Sequence, residues 1–388
     1  MKRPSAVGVV LAMLLTLCAT PVRAVESVET VVGAPTVEAP AVLLMEKETG
    51  AILYEENSHE KREPASVTKI MTLLLVMEAI DSGKLNYDDM VTVSAHAASM
   101  GGSQVYMKEY EQMTVRDMLK AVAVVSANDG SVALAEHLAG SEEAFVAQMN
   151  VRAAQLGMAD TCFVNCTGLP AAGHLTSAHD IALMSRELIL NHPDLRQFTT
   201  IWMDAIRDGQ FQLSNTNKLV RFYEGATGLK TGSTDAARFC LSATAERGGM
   251  ELIAVVLGAE TSEKRFETAK SLLNFGFANY TLMDVRPKQA LPPVDVLMGV
   301  EETVQPVMER CPRILVEKSA LDQVTTELKL AADVEAPVEA GQKLGSMIVR
   351  VDGVEREQIP IVADRAVERL TVGGVFTRFL ELLFLKKR

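Results

Sequence analysis

The chain has 388 residues, 48% of them apolar and 23% charged, with a formal net charge of −12. That length and composition suit a globular protein with room for two domains and a full core. The acidic balance, with no basic run before the last three residues, argues against general nucleic-acid binding, and no G-x-x-x-x-G-K-[ST] or G-x-G-x-x-G pattern indicates a nucleotide site.

Residues 1–24 read as a secretory signal peptide, with Lys2 and Arg3 before an apolar stretch from Ala6 to Ala19 and Val22-Arg23-Ala24 before the cut. The apolar run is too short to span a membrane. Cys18 follows Leu15-Thr16-Leu17, without the small residue expected before a lipidated cysteine. Loss of three cations, Lys2, Arg3 and Arg23, takes the charge from −12 to −15. Export permits disulfides among Cys162, Cys166, Cys240 and Cys311. A local Cys162–Cys166 bridge and free, buried thiols both remain open. With no second closely spaced cysteine pair, a zinc site is not expected.

Val25 to Pro40 is a loose lead-in. Ala41 to Met45, a turn at Glu46 to Gly50, and Ala51 to Tyr54 read as a hairpin. Pro64-Ala65-Ser66-Val67-Thr68-Lys69-Ile70-Met71-Thr72 then runs into an apolar helix that ends near Gly83. Ser66 and Lys69 are three apart, which on a helix sets them on one face, one turn apart. A serine hydroxyl needs a neighbour to take its proton, and a lysine with a lowered pKa can do so. A second copy of the spacing, Ser58-His59-Glu60-Lys61, lies in a polar run with no apolar helix behind it and reads as a solvated turn.

The middle of the chain reads as helical. Helices are expected over Met118 to Val125, Ser131 to Ala139, Phe145 to Leu156, and from Thr176-Ser177-Ala178-His179-Asp180 to about Leu190. Between the first two stands Ser126-Ala127-Asn128, whose polar side chains could simply cap the following helix. After Trp202 the pattern becomes extended: Phe211 to Leu213, Leu219 to Phe222, Gly228 to Thr234 with Lys230-Thr231-Gly232, then a clear hairpin of Phe239 to Ala245 and Leu252 to Gly258. Arg265 to Tyr280 closes this part as a helix. Strands at both ends and helices between predict an α+β fold in which the ends pair into one antiparallel sheet.

Beyond about Leu282, Val-rich runs alternate with turns, as in a small β-sandwich. Residues 371–388 place Val372, Val375, Phe376, Phe379, Leu380 and Leu383 on one helical face and end in Lys386-Lys387-Arg388. That pattern suits an amphipathic helix lying on a membrane surface, with packing on its own domain as the alternative. The expected division is therefore 1–24 signal peptide, 25–281 catalytic domain, 282–370 β-rich domain and 371–388 anchor helix.

Ser66-Val67-Thr68-Lys69, Ser126-Ala127-Asn128 and Lys230-Thr231-Gly232 stand in the order found in penicillin-binding proteins and class A β-lactamases. With Gly168-Leu169, Thr176 to Asp180 and Gly228 to Asp235, the chain resembles the D-alanyl-D-alanine carboxypeptidases, the low-molecular-mass penicillin-binding proteins. The resemblance implies a DD-peptidase/β-lactamase-like sheet with helices packed on it. It implies a serine enzyme, without metal or cofactor, acting on peptidoglycan stem peptides that end in D-Ala-D-Ala and inhibited by β-lactams. Ser66 would be the nucleophile and Lys69 the base, kept neutral by Lys230. Ser126 would relay a proton, Asn128 would hold the substrate amide, and Lys230, Thr231, Gly232 and Ser233 would bind the terminal carboxylate side. The backbone N–H groups of Ser66 and Ser233 would form the oxyanion hole.

Two departures from the family pattern stand out: Asn165-Cys166-Thr167-Gly168 for the usual Asn-Pro-His-Gly, and Thr227 where an acidic residue is common. Competing readings are a secreted class A β-lactamase, a penicillin-binding scaffold or sensor that turns over poorly, and an endopeptidase. The run Glu187-Leu188-Ile189-Leu190-Asn191 spells the β-lactamase deacylation segment, but it falls inside an expected amphipathic helix far from Ser126.

Overall fold

The computed structural model describes residues 33–310 and 313–385. The expected signal peptide, Cys311 and Lys386-Lys387-Arg388 lie outside the described residues. In chain order, β1 (Ala41–Glu46) and β2 (Ile52–Glu56) form the first hairpin, and a 3-10 turn at Ala65–Thr68 runs straight into α1 (Lys69–Asp81). Strands β3 (Met90–Thr92) and β4 (Gln112–Thr114) pair around a short helix α2 (Ala95–Ala98). Then come α3 (Val115–Val125), α4 (Asn128–Ala139), α5 (Glu142–Gln155) and α6 (Ala178–Asn191). A short α7 (Arg196–Thr199), a hairpin of β5 (Met203–Ile206) and β6 (Phe211–Ser214), and α8 (Leu219–Phe222) lead to β7 (Ala226–Thr234), β8 (Arg238–Arg247), β9 (Met250–Ala259) and α9 (Ser262–Asn279).

The two ends of this region do meet in one antiparallel sheet, in the order β2-β1-β9-β8-β7. All six residues of β1 are buried, because both faces of the sheet are covered. Leu43 and Met45 face the helical layer of α1, α3, α4 and α6, whereas Val42 and Leu44 face α9 through residues such as Leu272 and Leu273. A strand covered on both faces reads as a continuous apolar run rather than an alternation. Full burial of each such leucine contributes roughly 1.5–3 kcal/mol, so the sheet is a rigid floor for anything mounted on its edge.

Several helix starts carry side-chain caps. Thr114 Oγ1 accepts the N–H of Asp117, and Ser177 Oγ accepts that of Asp180. One expectation fails locally, and one helical turn adds to those expected. The 95–98 segment is a helical turn, opened by Ser94 whose Oγ accepts the N–H of Ala97. Leu219 to Phe222 is helical, not extended. There Asn217 Oδ1 accepts the N–H of Leu219 while its Nδ2 donates to Gly228 O, so side-chain hydrogen bonding overrides the extended preference of a Leu-Val-Arg-Phe run.

From α9 the chain passes directly into β10 (Tyr280–Asp284) and a β-rich region of β11 (Val294–Leu297), β12 (Thr303–Val304), β13 (Pro306–Met308), β14 (Arg313–Glu317), β15 (Val324–Leu330), β16 (Asp333–Glu335), β17 (Lys343–Val351) and β18 (Val354–Ala363). These make sheets β10-β14, β12-β11-β16 and β13-β18-β17-β15 around two small cores. Arg313 ties the region to the β8–β9 turn, through Gly249 O at 3.1 Å, and to the first hairpin, through Glu48 at 3.3 Å. The final helix, α10 (Val372–Leu385), turns Arg378 onto Gly299 O and Glu302. Its Val372, Phe376, Phe379 and Leu383 are 90%, 63%, 56% and 57% exposed. Among the described residues, no helix is long and apolar enough to cross a membrane.

Candidate active site

Ser66 sits in the 3-10 turn and Lys69 opens α1, so the two side chains are one turn apart with Nζ 3.0 Å from Oγ. Lys69 is fully buried. Its Nζ donates to Asn128 Oδ1 and to the carbonyl of Thr167, each at 2.6 Å. Both contacts consume a hydrogen of the amine. In the neutral form the remaining position is the lone pair, and it points at Ser66 Oγ, able to accept the serine hydrogen. Burial pulls the Lys69 pKa from 10.5 to about 7, against the opposing pull of Cys166 and Asp129. That shift corresponds to about 5 kcal/mol against the ammonium form. The expected cause was the charge of Lys230. Desolvation is the cause instead, and the mutual repulsion appears on Lys230, which is pushed well down by its own burial and then by Lys69 and Arg265.

The break between α3 and α4 supplies the second group. Ser126 closes α3 in a left-handed conformation, with φ +65°, which costs a non-glycine residue roughly 1–3 kcal/mol. Neither Ser126 nor Asn128 caps α4: the N-cap is Ala127, with no side-chain bond. Asn128 instead spends both ends of its amide elsewhere, Oδ1 on Lys69 and Nδ2 on Gly101 O at 2.6 Å. One Nδ2 hydrogen and one Oδ1 lone pair remain for the expected contact with a substrate amide. Ser126 Oγ is among the buried side-chain atoms without a hydrogen-bond partner.

The third group lies on β7, the edge strand. Lys230, Thr231 and Gly232 are buried and Ser233 is exposed. Lys230 Nζ donates to Thr231 O at 3.0 Å, and Thr231 Oγ1 to Thr216 Oγ1 at 2.7 Å. Gly232 lets the strand lie directly against the nucleophile turn. A Cβ there would fall 2.8 Å from Ser66 N and 2.9 Å from Val67 N. Ser66, Lys69, Asn128, Lys230 and Gly232 are thus brought together from three separate elements, with Ser126 and Thr231 on the residues beside them.

A match to the D-alanyl-D-alanine carboxypeptidase family model over residues 28–261 agrees with that arrangement, and residues 285–369 match the model of the penicillin-binding protein 5 C-terminal domain. The chain belongs to the D-alanyl-D-alanine carboxypeptidase family. It is 42% identical over 331 residues to D-alanyl-D-alanine carboxypeptidase DacF of Bacillus subtilis, covering 84% of this chain and 85% of the relative. It is similar to the crystal structure of penicillin-binding protein 5 from Haemophilus influenzae, with TM-score 0.76 and 29% identity over 87% of this chain and all of that one. It is also similar to penicillin-binding protein D2 of Listeria monocytogenes in its ampicillin-bound form, with TM-score 0.57 and 35% identity over 62% of this chain and 98% of that one. The enzyme is a serine-type D-Ala-D-Ala carboxypeptidase of peptidoglycan.

In the carboxypeptidase the decoy motifs separate from the site. Ser58 bonds Glu55, and Lys61 lies 4.0 Å from Asp160. Glu187 is inside α6 and is tied to Arg152 at 2.6 Å, so it has no deacylating role. Glu78, Glu187 and His192 are close enough to hold a metal, but Arg152 already pairs with both carboxylates, at 2.6 Å each. Cys162, Cys166 and Cys240 are free, and burial raises the thiol pKa of Cys166 and takes that of Cys240 to about 11, which keeps both inert. At the departure Thr227, the hydroxyl donates to buried Glu251 on β9, which also pairs with Lys47 and Arg196.

Sequence reasoning missed three contributors. The carbonyl of Thr167 carries no side-chain signature. Asp129, fully buried, accepts the N–H groups of Val105 and Met107 and pins the 101–107 loop beside Asn128. Arg265 on α9 donates to Gly232 O and Cys240 O, both at 3.1 Å, with its guanidinium over Phe239 and Phe266. A cation in the first turns of a helix opposes the helix dipole, and that was its available signal. Gly232→Ala should force β7 off the Ser66 turn. Acylation by a fluorescent penicillin should then slow by about 10²-fold, with unfolding still cooperative but at a lower temperature, because the overlap is with backbone; an unaltered rate would contradict the close approach.

Proposed function

We propose that Ser66 is the nucleophile and Lys69 its general base in trimming the terminal D-alanine from stem pentapeptides. The three contacts of Lys69 Nζ, to two carbonyl oxygens and to Ser66 Oγ, are the observation that carries this reading, since in the neutral amine they leave the lone pair facing the serine. Ser66 Oγ attacks the carbonyl between the two D-alanines while its hydrogen passes to Lys69 Nζ. The backbone N–H groups of Ser66 and Ser233 hold the oxyanion. Collapse breaks the peptide bond, and the departing amine takes a hydrogen from Lys69 through Ser126 Oγ. Water then attacks the acyl-enzyme and gives a hydrogen to Lys69, which passes it to Ser66 Oγ as the shortened peptide leaves, so that the hydroxyl and the neutral amine are both restored.

Lys230 and Thr231 take the terminal carboxylate. An arriving carboxylate supplies the counter-charge that buried Lys230 lacks, which raises its pKa and makes the contact charge-assisted. A β-lactam presents a carboxylate and a reactive amide in a similar relation, so it acylates the same serine. Asn128 acts chiefly by orienting Lys69.

The enzyme works outside the cytoplasm, held at the outer face of the cytoplasmic membrane. Its C-terminal helix supports this, since Arg378 turns inward while the large apolar side chains point outward.

Two measurements test these proposals. Incubation with a peptide ending in D-Ala-D-Ala should release D-alanine, and Ser66→Ala should lower release at least about 10³-fold; undiminished release by the variant would refute the assignment. Deleting residues 371–388 should move the protein from membrane pellet to supernatant while leaving D-alanine release in solution unchanged. A truncated form that still pellets would remove the helix from the anchoring role.

A further inference from the structure

The turn that carries Ser66 is strained, with Ala65 at φ +47°, a left-handed conformation for a residue with a side chain. Its carbonyl accepts from Thr68 Oγ1 at 2.8 Å. Thr68 Oγ1 is also 2.8 Å from His174 Nε2, and His174 Nδ1 is 3.0 Å from the backbone nitrogen of Val164. A backbone N–H can only donate, so Nδ1 accepts. In the neutral ring the hydrogen then sits on Nε2 and goes to Thr68 Oγ1, whose own hydrogen goes to Ala65 O.

One N–H therefore sets the direction of the whole relay. Its members are sealed from water, with Thr68 0% and His174 2% exposed and the Phe163 ring set edgewise on the imidazole. The Ala65 carbonyl is confined from the other side as well. A Cβ on Gly168, itself at φ +83°, would fall 1.8 Å from that oxygen. His174 and His179 have a spacing that can serve metal ligation, but both ring nitrogens of His174 are already engaged.

We propose that His174, in its neutral Nε2–H tautomer, is a positioning residue that acts through Thr68 on the Ala65 carbonyl and so aims Ser66 at Lys69 and at the substrate. The inference rests on Ser66 being the nucleophile. Burial favours the same form, holding the His174 pKa down at about 4. A protonated ring would set an Nδ1–H against the N–H of Val164, so the imidazole would lose the contact that fixes its place and the relay its fixed end.

The test compares Thr68→Val, Thr68→Ser and His174→Ala with the wild type in acylation by a fluorescent penicillin, with the label mapped by mass spectrometry. Thr68→Val keeps the shape and removes the hydroxyl, and it should slow acylation by about 10²-fold while thermal unfolding stays cooperative. Thr68→Ser, which keeps the hydroxyl, should recover most of the rate. Should His174→Ala fail to fold, the threonine pair still decides the matter. Nitrogen-15 NMR of the wild-type histidines should show His174 as Nε2–H and neutral from about pH 5 to 8, whereas titration near the ordinary value of about 6.5 would overturn the proposal. Label on Ser66 with Thr68→Val acylating at the wild-type rate refutes the positioning role alone. Label on another residue refutes the nucleophile assignment and the positioning role with it.

Discussion

The arrangement depends on one buried amine. Lys69 Nζ has two short contacts to carbonyl oxygens and a third direction facing Ser66 Oγ. A charged ammonium at that depth would need a counter-ion; Asp129, the carboxylate whose charge reaches Lys69, is committed to backbone N–H groups. Desolvation therefore settles the protonation state, and the two carbonyl oxygens settle where the lone pair points. Neither effect alone would make a base: a neutral lysine free to rotate would not address the serine, and an oriented ammonium could not accept its hydrogen.

Each partner of that amine comes from a different part of the chain, and each is held by something stiffer than itself. Asn128 begins α4 just past a left-handed Ser126, a conformation kept because α3 and α4 are both packed in the core. Thr167 follows a turn in which Asn165 Oδ1 accepts the N–H groups of Thr167 and Gly168. Lys230 and Gly232 ride on the edge of a five-stranded sheet filled on both faces. Backbone strain at Ala65 and Ser126 is thus offset by burial elsewhere, the usual relation between a strained site and its scaffold. Fixing these groups before substrate arrives is what allows proximity and electrostatics to act without reorganisation.

Much of this was legible in the sequence. The apolar runs of β1 and β9, the helical middle and the closing helix sufficed to expect the sheet, since a chain with strands at its ends and helices between can cover both faces. Ser66, Lys69, Ser126, Asn128, Lys230 and Gly232 announced themselves because their chemistry lies in side chains or in glycine's missing one. Thr167 did not, because a carbonyl is common to every residue. Leu219 to Phe222 misled because its helical turn is set by Asn217 and not by its own composition. The cause of the Lys69 shift was also misjudged: charge can be counted along a chain, whereas depth of burial appears only once α1 is packed. Arg265 and His174 act through backbone carbonyls and a threonine, at ranges that no local pattern records.

Burial is what makes Lys69 a base, by disfavouring its charged form. The most direct measurement is an NMR titration of the lysine side-chain nitrogens in the full chain, with Lys69 assigned from a Lys69→Arg variant. Lys69 should lose its proton with a midpoint of about 7, so that it is largely neutral through the alkaline range while exposed lysines remain charged. A Lys69 that keeps its proton to about pH 10, with the solvent-exposed lysines, would contradict it.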